Sequence, residues 1–381
     1  MSLHTKFDAV KDDLNSRMID REEAINIALV ALLTGEHFLM LGPPGTAKSM
    51  LIREICKRII GAKYFEKLIH KYTVPEDIFG ALKISELEKD NYIRKTENTV
   101  VDSHLVFLDE IYKATTILHT LLTLMNERIY QEEGKVQDVP LVSFFAASNE
   151  LAENDSFNAL HDRFLLRLFI PYLDEGGKRR LLKLKLSPKS KAPMATITLS
   201  ELFKAQEEVA SIPFSQSAED ALLGISRELE SEGIAISDRR FGQLTKLVQA
   251  MAWLDGASEV TDEHCSILNN ALWDRPEQIR TVERVICKVT NPLSLEAVEL
   301  EDAARDLYGQ KPAKGQSNLI QSLEPLLRQM GDIHTRLESR IASSPNKAKR
   351  AKTALENVAK WRKELGMMAL QSINAIAQPN R

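Results

Sequence analysis

Residues 42–49 read Gly-Pro-Pro-Gly-Thr-Ala-Lys-Ser, directly behind the apolar run Phe38-Leu39-Met40-Leu41 and ahead of Met50-Leu51-Ile52-Arg53-Glu54-Ile55, which has a helical pattern. A glycine-punctuated loop between a strand and a helix can turn several backbone N–H groups onto one anion. The unsatisfied N–H groups and dipole of the following helix add to that attraction. Lys48 would bring a point charge to the β- and γ-phosphates of a nucleotide, and Ser49 a hydroxyl ligand to magnesium. A plain Gly-Pro turn accounts for Gly42, Pro43, Pro44 and Gly45, but it gives no reason for Lys48-Ser49 to follow. Thr46, Ala47 and Met50 complete the segment expected to line the nucleotide. Ala47 stands where the general pattern carries its second glycine, and a methyl restricts the backbone there.

The remaining parts of a phosphate-transfer site are carboxylates, a water-orienting group and cations. Leu105-Val106-Phe107-Leu108 reads as a strand covered on both faces, and it ends in Asp109-Glu110. One carboxylate at that point can serve the magnesium shell, and the other can polarise the attacking water. An acidic pair directly behind four apolar residues also carries a desolvation cost that a bound cation would offset. Ser143-Phe144-Phe145-Ala146-Ala147-Ser148 is a further strand candidate, and Asn149 behind it offers an amide to orient water. Asp162-Arg163-Phe164-Leu165-Leu166-Arg167 and Ser237-Asp238-Arg239-Arg240 each present two arginines beside apolar patterns.

These segments together resemble the AAA+ ATPases, and within them the MoxR family with its RavA-type members. The matches are GPPGTAKS at 42–49, TVPEDIFG at 73–80, LVFLDEIYKA at 105–114, LLTLMNER at 121–128, AASNE at 146–150, HDRFLLRL at 161–168 and SDRR at 237–240. They occur in family order over about 15–290, and Ala47 is what this family's loop carries. The resemblance implies an α/β fold, an AAA+ P-loop core with a parallel sheet and then an all-helical lid; a C-terminal helical hairpin beyond the matched region is read from its own residues. It implies ATP and Mg²⁺ as cofactors, with Lys48, Ser49, Asp109, Glu110 and Asn149 acting in cis. By the same resemblance Arg163 is the arginine finger for a neighbour's nucleotide and Arg239 is sensor 2, reaching the phosphates from the lid. Arg167 and Arg240 are the alternatives one turn and one residue away.

Stepping along the chain, the α/β domain is expected over 1–186, a linker over 187–198, the helical lid over 199–307, a second linker over 308–317 and the hairpin tail over 318–381. Prolines and polar residues mark the first linker. Thr198-Leu199-Ser200-Glu201 and Ser217-Ala218-Glu219-Asp220 read as helix starts. Two insertions in the first block have hairpin patterns, one from Ala81-Leu82-Lys83-Ile84 to Tyr92-Ile93-Arg94 and one from Ile129-Tyr130-Gln131 to Val139-Pro140-Leu141. In the helix-2-insert AAA+ proteins that the family resembles, such hairpins face the pore or substrate. A plain solvent-exposed hairpin fits the pattern equally well. In the tail, Leu319, Leu323, Leu326, Met330, Ile333 and Leu337 recur at helical spacing, as do Ala351, Leu355, Val358, Trp361, Leu365 and Met368. Pro325 is expected to kink the first of these helices or to start it.

The bulk properties exclude some classes. A net charge of -4 gives no global basic field, so nucleic acid is not expected as a partner. The seven basic residues against one acid in 347–363 are read as a solvated or partner-binding helix face. Cys56, Cys265 and Cys287 are too few and scattered for a disulfide framework, and they are expected reduced. The apolar stretch from Ala28 to Leu33 is too short for a membrane span, and no secretion-signal pattern opens the chain, so the cytoplasm is expected. The functional expectation is a ring-forming ATPase, a hexamer by resemblance. By the same resemblance it would remodel or mature a protein partner carrying a von Willebrand factor A domain. A nucleic-acid motor is the alternative, and an inactive nucleotide sensor is opposed by Lys48, Asp109 and Glu110.

Overall fold

The computed structural model describes residues 2–89, 91–113, 115–132, 135–151, 157–186, 193–312, 319–343 and 349–377. Residues 187–192 and 313–317 of the two expected linkers, and the Glu133-Gly134 turn, lie outside these. Among the described residues nine strands form: β1 Phe38–Leu41, β2 Ile59–Ile60, β3 Tyr64–Leu68, β4 Leu105–Asp109, β5 Ile129–Glu132, β6 Lys135–Asp138, β7 Ser143–Ser148, β8 Leu166–Phe169 and β9 Ile197–Thr198. Five of them make one sheet in the order β3-β4-β7-β1-β8, with every pairing parallel. Continuous apolar runs produce this layer because both of its faces must be covered, and β1 and β7 are buried along their whole length. The helix Glu22–Thr34 packs on β1 and β8, and Lys48–Cys56 on β4 and β7.

Register decides which residues meet. Leu41 of β1 pairs with Ser148 of β7, and Asp109 of β4 pairs with Ala147. Because the strands are parallel, the loop behind β1, the Asp109-Glu110 pair and Asn149 all emerge at the C-terminal edge, where open α/β sheets bind their ligands. The segments 34–37, 139–142 and 163–165 come together at the opposite, N-terminal edge.

The two insertions fold differently. β5 and β6 make the antiparallel hairpin, pairing Ile129 with Asp138, and the pairing stops before Pro140, which has no N–H to donate. The first insertion corrects the hairpin expectation. It keeps only an isolated bridge between Leu82 and Arg94, and Ile84–Leu87 forms one helical turn instead. With Ile84 and Tyr92 exposed, this segment has no apolar layer to flatten a strand pair against. Arg94 ties the two insertions together, donating to Glu132 at 2.6 Å and to Glu76 at 3.0 Å.

The chain divides into two compact units, 1–220 with 234–279, and 221–233 with 280–381. In the first, the helices Leu199–Ser211 and Asp238–Leu254 pack on Glu22–Thr34, so the boundary expected near residue 199 falls inside this unit. In the second, Pro292–Gly309, Leu319–Ser343 and Lys349–Ala377 share one core that includes Leu300, Ala304, Leu323, Met330, Leu337, Val358 and Leu365. The expected tail hairpin thus shares its interior with the helix before the second linker. Leu319–Ser343 runs on through Pro325. Glu301, almost fully buried there, is met by Arg350 at 2.6 Å and by Asn357 at 2.8 Å. Cys56, Cys265 and Cys287 are buried and free.

Candidate nucleotide site and arginine pocket

The loop 42–47 is shaped by three left-handed residues. Gly42 has φ +143°, and a Cβ there would lie 2.2 Å from the Ile170 carbonyl oxygen, so only glycine fits. Gly45 has φ +80° with open space around it. Ala47, at φ +68° and ψ 25°, is the N-cap of the helix Lys48–Cys56. The sequence pattern suggests that a methyl would keep this residue out of glycine-like backbone. Here alanine adopts that backbone and carries about 1–3 kcal/mol of strain. Glu110 is left-handed as well, at φ +58°.

Around the loop the expected polar residues make one connected set. Lys48, nearly fully buried, donates from Nζ to the Gly42 carbonyl at 2.6 Å, the Pro43 carbonyl at 3.1 Å and Asn149 Oδ1 at 3.1 Å. Asn149 Nδ2 donates to Glu110 Oε1, and Glu110 pairs with Lys113 at 3.2 Å. Ser49 Oγ donates to Asp109 Oδ2 at 2.8 Å. Burial pulls the Lys48 ammonium below its ordinary pKa, while Asp109 and Glu110 act to raise it. Met50 is exposed at the helix start. Sequence reasoning missed Arg21, a buried arginine at the N-cap of Glu22–Thr34 that donates twice to the Thr46 carbonyl. No local motif flags it, because its partner lies 25 residues away.

The arginines do not join this set. Arg163 and Arg239 line a cavity of about 730 Å³ at the N-terminal edge, with Glu36, Asn126, Arg128 and Lys246. Five residue steps along β1 separate His37 from Gly42, about 16 Å along an extended chain. Arg239 therefore does not reach the loop of its own chain. Its guanidinium donates to Asn126 Oδ1 at 3.1 Å, and that of Arg163 to the Ala159 carbonyl at 3.1 Å. The two alternatives are occupied elsewhere. Arg167, fully buried in β8, and Arg240 both donate to Asp274 Oδ1, at 2.8 and 3.0 Å. Burial drives Arg167 down to about 10. Burial also pushes Asp274 up, and the two guanidinium groups more than reverse that. In the cavity wall, burial raises Glu36 against the opposing pull of Lys246, Gln243, Arg128 and Arg239. His37 falls to about 3 through burial and then through Arg128.

With this geometry in place, comparison with known proteins is decisive on one point. Residues 5–206 match the family model described as the MoxR domain in the MoxR-vWA-beta-propeller ternary systems, and 217–286 match an AAA lid domain. The chain belongs to the MoxR family of AAA+ ATPases. Among similar proteins, an uncharacterized protein of Methanocaldococcus jannaschii is 38% identical over 304 residues, 79% of each chain. The chaperone MoxR1 of Mycobacterium tuberculosis is 26% identical over 202 residues, 51% of this chain and 52% of that one. A crystal structure of a protein from Cytophaga hutchinsonii, provisionally classed as an ATPase, superposes with a TM-score of 0.61 at 19% identity. That match covers 75% of this chain and 94% of the other, and it carries the fold. A nucleotide, usually with Mg²⁺, is what membership of the AAA+ ATPases implies. The residues present fit both: the acceptors around the Lys48 ammonium are neutral oxygens, and a hydroxyl and a carboxylate stand together at Ser49 and Asp109. None of the described helices is long and apolar enough to cross a membrane.

Proposed function

We propose that this chain hydrolyses ATP at the C-terminal edge of its sheet and, assembled as a hexameric ring in the cytoplasm, uses that cycle to remodel or mature a protein partner. The observation that supports this best is the bonded set of Lys48, Asn149 and Glu110 beside Ser49 and Asp109. In this reading residues 42–50 cradle the phosphates, and Lys48 leaves its carbonyl acceptors for the β- and γ-phosphate oxygens. Asn149 orients the attacking water, and Glu110 polarises it and receives its proton. Ser49 and Asp109 would hold Mg²⁺, which supplies charge neutralisation on the phosphates when bound. Arg163 and Arg239, together at the other edge, act on the nucleotide of the neighbouring subunit, so a closed ring completes every site. For these roles the chain is divided into an α/β domain to 186, a lid over 199–307 and a tail over 318–381, the tail sharing its core with the lid's last helix.

The partner is proposed to carry a von Willebrand factor A domain, in keeping with the ternary systems named by the matching family model. The test separates steps. ATP affinity and turnover are measured for wild type, Lys48→Ala and Glu110→Gln, and assembly mass is measured with ATP bound. Glu110→Gln should bind ATP, hold the ring and retain a von Willebrand factor A protein from the same source. Normal turnover by Glu110→Gln would overturn the chemical assignment. A monomer at every nucleotide state would overturn the ring.

A further inference from the structure

Arg21 is 7% exposed, yet its fork of donors faces carbonyl oxygens only. Nε and Nη2 both reach the Thr46 carbonyl, at 3.2 and 2.9 Å, and Nη1 reaches the Asp20 carbonyl at 2.7 Å. Burial pulls this guanidinium below its ordinary pKa, and Asp20 opposes the shift. Two N–H donors converging on one carbonyl hold that oxygen in place. The carbonyl belongs to the peptide joining Thr46 to Ala47, and a trans peptide is planar, so fixing its oxygen turns the Ala47 N–H the opposite way. On the other side of Ala47, its own carbonyl accepts the first helical bond, from Leu51 N–H at 3.0 Å. Ala47 is thus held at both flanking peptides in a left-handed conformation that alanine does not prefer. Thr46 adds a local tie, its hydroxyl donating to the Pro43 carbonyl at 3.0 Å.

We infer that Arg21 is a positioning residue for the loop: by closing on the Thr46 carbonyl it keeps Ala47 left-handed and so keeps the Ala47 and Lys48 N–H groups in the arrangement that binds phosphate. The inference rests on the reading of 42–50 as the nucleotide loop. A chain with glycine at position 47 would need no such clamp, because glycine enters this conformation without a Cβ penalty. Arginine 21 and alanine 47 are therefore expected to depend on each other.

The test is a double-mutant cycle on the full chain with two readouts, affinity for a fluorescent ATP analogue with Mg²⁺ and the urea midpoint. Arg21→Gln should weaken analogue binding about tenfold, the equivalent of releasing one strained residue. Measured against the Ala47→Gly chain with Arg21 intact, adding Arg21→Gln should change affinity by no more than about threefold. A loss through general misfolding would not be restored by glycine. Unchanged affinity in Arg21→Gln, or a loss that Ala47→Gly leaves in place, overturns the inference. The midpoint reads the clamp without any nucleotide. Ala47→Gly should raise the midpoint of the wild-type chain by removing strain. It should lower that of Arg21→Gln, where the loop has relaxed and only glycine's extra unfolded-state entropy remains. If Lys48→Ala binds the analogue as well as wild type does, the nucleotide reading fails. The clamp is then judged by that reversal of sign, and its absence overturns it.

Discussion

The two edges of the central sheet differ in how their charges are balanced. At the C-terminal edge, residues separated by up to 101 positions already bond to one another, lysine to asparagine and serine to aspartate, and two non-glycine residues, Ala47 and Glu110, sit in left-handed backbone. The N-terminal edge also has long-range bonds and a left-handed residue, Arg128, but there Arg128, Arg163, Arg239 and Lys246 surround a cavity in which Glu36 and Glu127 are the carboxylates. The first edge pairs its polar groups among themselves. The other gathers cations in excess of the anions it supplies. A site that must hold its own ligand benefits from the first arrangement, and a surface that completes another molecule's site from the second. The contrast teaches that the arginines of one sequence need not serve the loop of the same chain.

The largest expected effect lies at the N-terminal edge. Arg163→Ala should bind ATP and assemble but lose about 10³-fold or more in turnover, as removal of an arginine finger does. Mixing it with Lys48→Ala subunits should restore part of the activity, because some interfaces then pair an intact pocket with an intact arginine. Wild-type turnover by Arg163→Ala would show that the cavity is not catalytic. At the opposite edge, Glu110→Gln should lower turnover by about 10²-fold or more with affinity retained. The comparison sharpens if mixing with Lys48→Ala subunits rescues the first defect but not the second, because neither subunit of the second mixture has a working pocket.

A stability measurement asks what sets the two cavity arginines apart from the two held by Asp274. Asp274→Asn leaves Arg167 as a fully buried cation without its carboxylate, and it should cost about 2–3 kcal/mol in a denaturant titration. The value sits below the usual range for breaking a buried pair because Asp274 is itself half exposed. A cost under about 0.5 kcal/mol, the level of a surface pair, would show that backbone acceptors alone hold Arg167. The smallest effect per step is the pH dependence from His37 and His161, both lowered to about 3, chiefly by burial and then by Arg128 and Arg167 respectively. Both stay neutral in the folded chain while the unfolded chain takes up protons below about pH 6.5. Their contribution is therefore intact above that pH and is lost as pH falls from about 6.5 toward 3, by roughly 1 kcal/mol per histidine per pH unit. Urea midpoints at pH 7.5 and 5.5 measure it. Equal midpoints would mean that neither imidazole is held neutral.

The loop, the Asp109-Glu110 pair and Asn149 were legible in the sequence because each follows an apolar run long enough to be a buried parallel strand. Parallel strands deliver whatever follows them to one edge. The same logic reached the second insertion, whose Ile129–Glu132 and Lys135–Asp138 pair as a hairpin. It failed on the first, where a helical turn at Ile84–Leu87 needs no partner strand.

What the sequence determined by itself was local and additive: which residues punctuate the strands, which cap helices, and hence which chemistry the chain carries. Tertiary structure decided what depends on contacts far apart in the chain. It separated Arg163 and Arg239 from Arg167 and Arg240, since burial in β8 and the shared carboxylate of Asp274 fix the second pair, and no spacing rule links 167 or 240 to 274. It also placed Arg21 on the Thr46 carbonyl and put Ala47 in glycine's conformation. A backbone angle answers to all the atoms packed around it, and those are known only once the chain has folded.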